Sequence, residues 1–161
     1  MATIRFNVTT SATPEEFVAA LTDFGPGRGE LFGNSTDDDL KVHSQGPTEA
    51  DVTEGSRGIW ERLHYDWSDP DRVVMTTTDS NTWGGDSGHT YTFTRNPDAT
   101  TGIDVVVVRD GKNLKGRAIE LLLATVGKGA LVKAFASTVK AVEARNATSP
   151  HPLEGDHEPR L

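Results

Sequence analysis

The chain has 161 residues, 35% hydrophobic and 25% charged, with no cysteine and a formal net charge of −8. Such a length suits one domain that buries its own core, and the composition is neither that of a membrane protein nor that of a fibre. The acidic balance speaks against nucleic acid, whose phosphates require a clustered basic surface, and the lack of thiols excludes disulfides, thiolate catalysis and cysteine-ligated metal centres.

Reading from the N-terminus, no basic segment runs into an apolar one as in a secretory signal, so the cytoplasm is the default compartment. Thr3 to Thr9 alternates, with Ile4, Phe6 and Val8 on one side, which predicts a half-buried strand. Thr13-Pro14-Glu15-Glu16 combines a capping box with proline at the first helical position, ahead of Phe17, Val18, Leu21 and Phe24 at helical spacing. A short helix stopped at Gly25 is expected. The glycine-rich run Gly25 to Gly33 would be a phosphate cradle only if it followed a strand; after a helix, it reads as a plain loop or a second short helix. Asp37-Asp38-Asp39 reads as a solvated loop, because consecutive carboxylates rarely converge on a metal without other ligands nearby. Neither a metal-ligand set nor a cofactor motif is found, and none of either is expected.

From Leu40 to Arg109 the pattern is one of strands with turn residues between them. Leu40–Gln45, Ala50–Glu54, Gly58–Trp67, Arg72–Asp79, His89–Arg95 and Ile103–Arg109 are the candidates. Their connections are too short for crossovers, so neighbours must run antiparallel. The loop Asn81 to Gly88 follows Asp79 in the manner of a calcium loop but fails as one, since Trp83 stands where a ligand belongs and Thr90 where the bidentate glutamate should be.

Leu114 to Ala147 has no proline and a helical composition, enough for a rod on the order of 45 Å. In its second half Leu131, Phe135, Val139 and Val142 form one apolar stripe. In its first half Ala118, Ile119, Leu121, Leu122, Leu123 and Val126 point nearly all round the axis, which predicts cover on more than one side. Gly127 and Gly129 divide the halves and predict a bend or a close backbone approach. Residues 1–147 therefore form the domain, and the polar, proline-rich segment 148–161 is expected to be a disordered tail.

Alternation also selects the inward side chains. The apolar parity of Gly58–Trp67 is Ile59, Leu63, Tyr65 and Trp67, and it carries Glu61 inward; that of the last two strands is Tyr91, Phe93, Ile103, Val105 and Val107, together with His89 and Arg109. Glu61, His89 and Arg109 are thus candidates for one internal polar cluster, since a lone buried carboxylate would be costly. A bulge would reverse the parity and bring Trp60, Arg62 and His64 inside instead. Tyr65, Trp67, Trp83 and Tyr91 suit either an ordinary core or the wall of a pocket for a flat ligand; Trp83, in a glycine- and serine-rich loop, suits a pocket rim or a ring folded over its own hairpin.

Strand, two short helices, a run of antiparallel strands and a long final helix make an α+β order with helices on one face of the sheet. The chain resembles the START-like superfamily, also called SRPBCC, the group of polyketide cyclases/dehydrases and Bet v 1-like proteins. The residues that carry the likeness are Val52-Thr53-Glu54-Gly55-Ser56, Gly58-Ile59-Trp60-Glu61-Arg62-Leu63, Tyr65-Asp66-Trp67-Ser68-Asp69-Pro70, Val105 to Arg109 and Gly111-Lys112-Asn113-Leu114-Lys115-Gly116. The resemblance implies a helix-grip fold, a seven-stranded antiparallel sheet curled around the C-terminal helix. It also implies a cavity between sheet and helix for a small hydrophobic ligand such as a lipid or a polyketide, held by a carrier or sensor. Its lining would come from Glu61, Leu63, Tyr65, Trp67, Trp83, His89, Tyr91, Val107, Arg109, Ile119, Leu122, Leu123 and Val126. Two alternatives stay open: a polyketide cyclase or dehydratase with Glu61 or His89 as general acid or base, and a protein-interaction module of the Hsp90 co-chaperone type.

Overall fold

In the computed structural model, which describes residues 1–148, strand β1 (Ala2–Thr10) leads into α1 (Pro14–Leu21), α2 (Arg28–Leu31) and a single 3-10 turn at Asp37–Asp39. Six strands follow: β2 (Lys41–Gln45), β3 (Glu49–Ser56), β4 (Ile59–Asp66), β5 (Arg72–Ser80), β6 (Gly88–Arg95) and β7 (Thr101–Arg109). The chain then forms α3 (Leu114–Leu122), a π-helical turn (Leu123–Gly127) and α4 (Lys128–Thr148). The remainder of the expected tail lies outside the described residues.

The expected capping box starts α1. Thr13 Oγ1 accepts from the Glu16 N–H at 3.1 Å, and Glu16 Oε1 accepts from the Thr13 N–H at 3.3 Å. The strands form one open antiparallel sheet in the order β1-β7-β6-β5-β4-β3-β2. Pairing of the first strand with the last, in the register Ile4 to Val107 and Phe6 to Val105, brings the N-terminal strand beside the root of the terminal helix. A bulge does occur, but Thr78 of β5 is the extra residue, opposite Arg62 and Leu63. The parity of β4 is therefore kept: Glu61, Leu63 and Tyr65 are buried, and Trp60 is 38% exposed.

Helix α4 packs against the inner face of the sheet through the expected stripe, with Phe135, Val139 and Val142 buried. The Phe135 ring stands 5.6 Å from Phe6, 5.9 Å from Phe17 and 5.5 Å from Tyr91, and so joins β1, α1 and β6 in one core. The first half of the terminal helix departs from expectation. Leu114, Leu121, Leu122 and Val126 are between 58% and 87% exposed instead of covered on several sides. The reason lies in how α3 is seated. It meets the end of β7 and the loop before β6 through small and polar groups: Gly116 is pressed against the Thr82 carbonyl, Asn113 Nδ2 donates to Asn81 O at 2.8 Å, and Glu120 Oε2 accepts from the Gly111 N–H at 2.9 Å. Contact through glycine and polar atoms leaves the leucines facing outward. Of the two glycines, Gly127 lies in the π turn, where a methyl group would come 2.6 Å from the Leu123 side chain, whereas Gly129 faces open space.

Candidate functional site beneath the terminal helix

Two buried ion pairs stand on the inner face of the sheet. In the first, Arg109 Nη1 donates to Glu61 Oε2 at 2.9 Å and Nη2 to Glu61 Oε1 at 3.1 Å, a bidentate pair. Thr77 Oγ1 donates to the same Oε2 at 2.9 Å, and the Trp83 ring lies 5.0 Å from the guanidinium carbon. Burial raises the Glu61 pKa, but the Arg109 charge outweighs it and holds the carboxyl well below the usual range. His89 Nε2 is 2.7 Å from Arg109 Nη2 and 3.9 Å from Glu61 Oε1, so only the first contact is a hydrogen bond. A guanidinium has no acceptor; hence Nε2 keeps its lone pair, and the proton of a neutral imidazole sits on Nδ1. Burial, and then the Arg109 charge, push the His89 pKa down, in keeping with that form.

The second pair was not read from the sequence. Arg28, at the start of α2, donates from Nε to Glu54 Oε1 at 2.6 Å, from Nη1 to Leu21 O at 2.7 Å and Asp23 O at 2.9 Å, and from Nη2 to the Tyr65 hydroxyl at 3.1 Å. Ser35 Oγ donates to Glu54 Oε1 at 2.7 Å, and the Tyr65 hydroxyl donates to Oε2. Phe24 and Phe32 enclose the guanidinium, each ring centroid 4.7 Å away. Burial and the Glu54 charge push the Tyr65 pKa up, so its hydroxyl stays protonated and able to donate. Glu54 shares its parity with Ala50 and Val52, a usable signal. Arg28, between two glycines, offered none. In the same loop, Asp37 Oδ2 accepts from the Gly27 N–H at 2.9 Å and Oδ1 from the Gly29 N–H at 3.4 Å. An internal carboxylate thus takes the amides that a phosphate would need.

Between the sheet, the π turn, α4 and the Gly29–Asn34 segment lies a cavity of about 540 Å³. Phe6, Val105, Val107, Leu123, Leu131 and Phe135 supply its apolar wall, and His89, Tyr91 and Arg109 its polar end. A deeper void of about 30 Å³, also lined by His89 and Tyr91, reaches Glu54, Leu63 and Tyr65. Of the residues expected at a site, His89, Tyr91, Val107, Arg109 and Leu123 line the cavity, while Leu63 and Tyr65 line the inner void. Glu61 is bonded to Arg109 and does not line the cavity. Trp83 is 6% exposed and covers Arg109 instead of forming a rim, because an isolated bridge to Gly111 folds its loop over the end of the sheet. Trp67 packs, partly buried, against the core. Ile119, Leu122 and Val126 lie outside the lining because α3 leans on the sheet's end and not on its inner face. Phe6 and Phe135 were legible only as core, and Leu131 as part of the helix stripe.

No family model matches the chain, and no curated protein does. Solved structures do match. Zhui aromatase/cyclase from Streptomyces sp. R1128 superimposes with a TM-score of 0.67 at 14% identity, over 92% of this chain and 99% of that one. A START superfamily protein from Mycobacterium smegmatis gives a TM-score of 0.64 at 12% identity, over 89% of this chain and 95% of that one. This chain has the START-like fold. TTHA0849 from Thermus thermophilus, with a TM-score of 0.68 at 14% identity over 92% and 100% of the two chains, shares the same START-like architecture. In START-like terms, the open seven-stranded sheet and the helix from Leu114 onward are the helix grip. Identity this low carries the fold and leaves the chemistry to the residues themselves. No helix among the described residues is long and apolar enough to cross a membrane.

Proposed function

We propose that the chain binds a small, largely apolar molecule in the cavity between sheet and α4, as a carrier or sensor. One observation carries this reading. A space of about 540 Å³ is walled by aromatic and aliphatic side chains from β1, β7, the π turn and α4, with a few polar groups gathered at one end. That size and lining match small-molecule sites, which run roughly 300–1,000 Å³ and are apolar with a few polar anchors. A lipid or polyketide-like ligand would suit it.

The cyclase or dehydratase alternative needs a group free to move a proton. Glu61 accepts three hydrogen bonds and is held ionised, and the His89 lone pair is taken by Arg109. Neither is poised as a general base, which favours binding over turnover.

Titration of the full chain with naphthalene, followed by its fluorescence, tests the reading. Saturable binding is expected in wild type, and loss of about tenfold or more in Ala134→Trp, whose indole would fill the cavity mouth. Leu121→Ser, on the outer face of α3, should bind like wild type. Equal binding by wild type and Ala134→Trp would place the probe elsewhere and end the proposal.

A further inference from the structure

Resting on that reading of the cavity, we infer that it selects an uncharged ligand ending in a hydrogen-bond acceptor, such as a ketone, ester or quinone carbonyl, seated against the Tyr91 hydroxyl. Arg109 is the obvious anchor for an acid, but its charge is already spent. The guanidinium is matched by the Glu61 carboxylate through two hydrogen bonds. His89 accepts an N–H from Arg109 and so contributes no charge. Beyond the inner void, Arg28 and Glu54 likewise cancel. The polar end therefore sums to zero, and a carboxylate entering it would give up its hydration with no unbalanced cation to meet it.

The donors that remain unused point to the complement. The Tyr91 hydroxyl makes no hydrogen bond among the described residues, although it lines both the cavity and the inner void. Its ring is held in place, stacked on Phe135 at 5.5 Å and 29° and edge-on to Phe17 at 6.1 Å and 81°. His89 also lines both spaces, and its Nδ1–H has no partner among the described residues. Two unpaired donors beside a neutral, apolar space are satisfied by an acceptor, and a hydrocarbon without one leaves them desolvated and unbonded.

Three probes of one shape decide the matter: naphthalene, 2-acetylnaphthalene and 2-naphthoate, titrated against the full chain. We expect 2-acetylnaphthalene to bind about five- to tenfold tighter than naphthalene, the ratio that one net hydrogen bond supplies, and 2-naphthoate to bind weakest. Tyr91→Phe should abolish the ketone's advantage and leave naphthalene within about twofold of its wild-type affinity. Glu61→Gln, which leaves Arg109 unmatched, should raise 2-naphthoate by about tenfold or more relative to the ketone. Equal affinity for ketone and hydrocarbon in wild type, persistence of the advantage in Tyr91→Phe, or tightest binding of 2-naphthoate to wild type would overturn the inference while leaving an apolar cavity standing. Failure of all three probes to bind would remove the cavity reading and this inference with it.

Discussion

Arg109 and Glu61 face each other across the inner surface of the sheet, from β7 and β4, joined by two hydrogen bonds of 2.9 and 3.1 Å and roofed by the Trp83 ring. Both residues are under 10% exposed. Removing one partner strands the other charge in a low-dielectric interior, at a cost of roughly 3–5 kcal/mol. Arg109→Met and Glu61→Gln should therefore each destabilise strongly, and the double variant should lose much less than the sum. Urea unfolding of the four chains measures the coupling; additive losses would mean that the two side chains do not interact.

The pH dependence follows from His89. Its pKa in the folded chain is pushed below the ordinary 6.5, by burial first and Arg109 second, so the unfolded chain takes up the proton at a higher pH than the folded one. The stabilisation from a neutral His89 is complete above about pH 6.5 and is lost as the pH falls through that value towards the folded-state pKa. His89→Gln should flatten this part of the stability profile. Parallel profiles for wild type and variant, measured by urea unfolding at several pH values, would show that His89 titrates alike in both states.

The Arg28–Glu54 pair should act on the cavity mouth as well as on overall stability. Arg28 begins the segment that, through Gly29–Asn34, borders the cavity, and Thr138 Oγ1 of α4 donates to Leu31 O at 2.9 Å to hold that segment down. Tyr65→Phe leaves Glu54 Oε2 without its donor, an expected cost of about 1–3 kcal/mol. Amide exchange in Gly29–Asn34 should speed up by more than the global loss explains. Uniform acceleration across the chain would show that the segment is not pinned by this cluster.

The two helix glycines should separate. Gly129→Ala meets open space and should stabilise by about 0.8–1.0 kcal/mol, the propensity difference. Gly127→Ala puts a methyl group 2.6 Å from the Leu123 side chain, which lines the cavity, and should be neutral or destabilising. Thermal unfolding of the two variants reads this directly, and equal stabilisation by both would mean that the π turn is not crowded.

Much of this architecture was legible in local sequence. The capping box at Thr13, the alternation in β4, β6 and β7, and the Leu131–Val142 stripe each express a steric period that tertiary packing respected. The Glu61–His89–Arg109 cluster was legible for the same reason, because parity places all three on one face. What escaped was long-range. Arg28 reaches Glu54 across a separation of 26 residues from a glycine-rich loop with no period to read. Helix α3 looked buried because its apolar content is high, yet composition does not fix which face a helix presents when glycine contacts at Gly111 and Gly116 decide how it is seated. The cavity itself is what remains between elements after packing, and no local pattern encodes a space.

The most direct test of the central claim is where an apolar probe sits. Methyl NMR spectra of the full chain titrated with 2-acetylnaphthalene should show saturable shifts at Val105, Val107, Leu123 and Leu131, whose side chains line the cavity, and none at Leu121, Leu122 and Val126 on the outer face of the helix. Shifts confined to the outer three, or no saturable shift at the first four, would contradict a ligand cavity beneath α4.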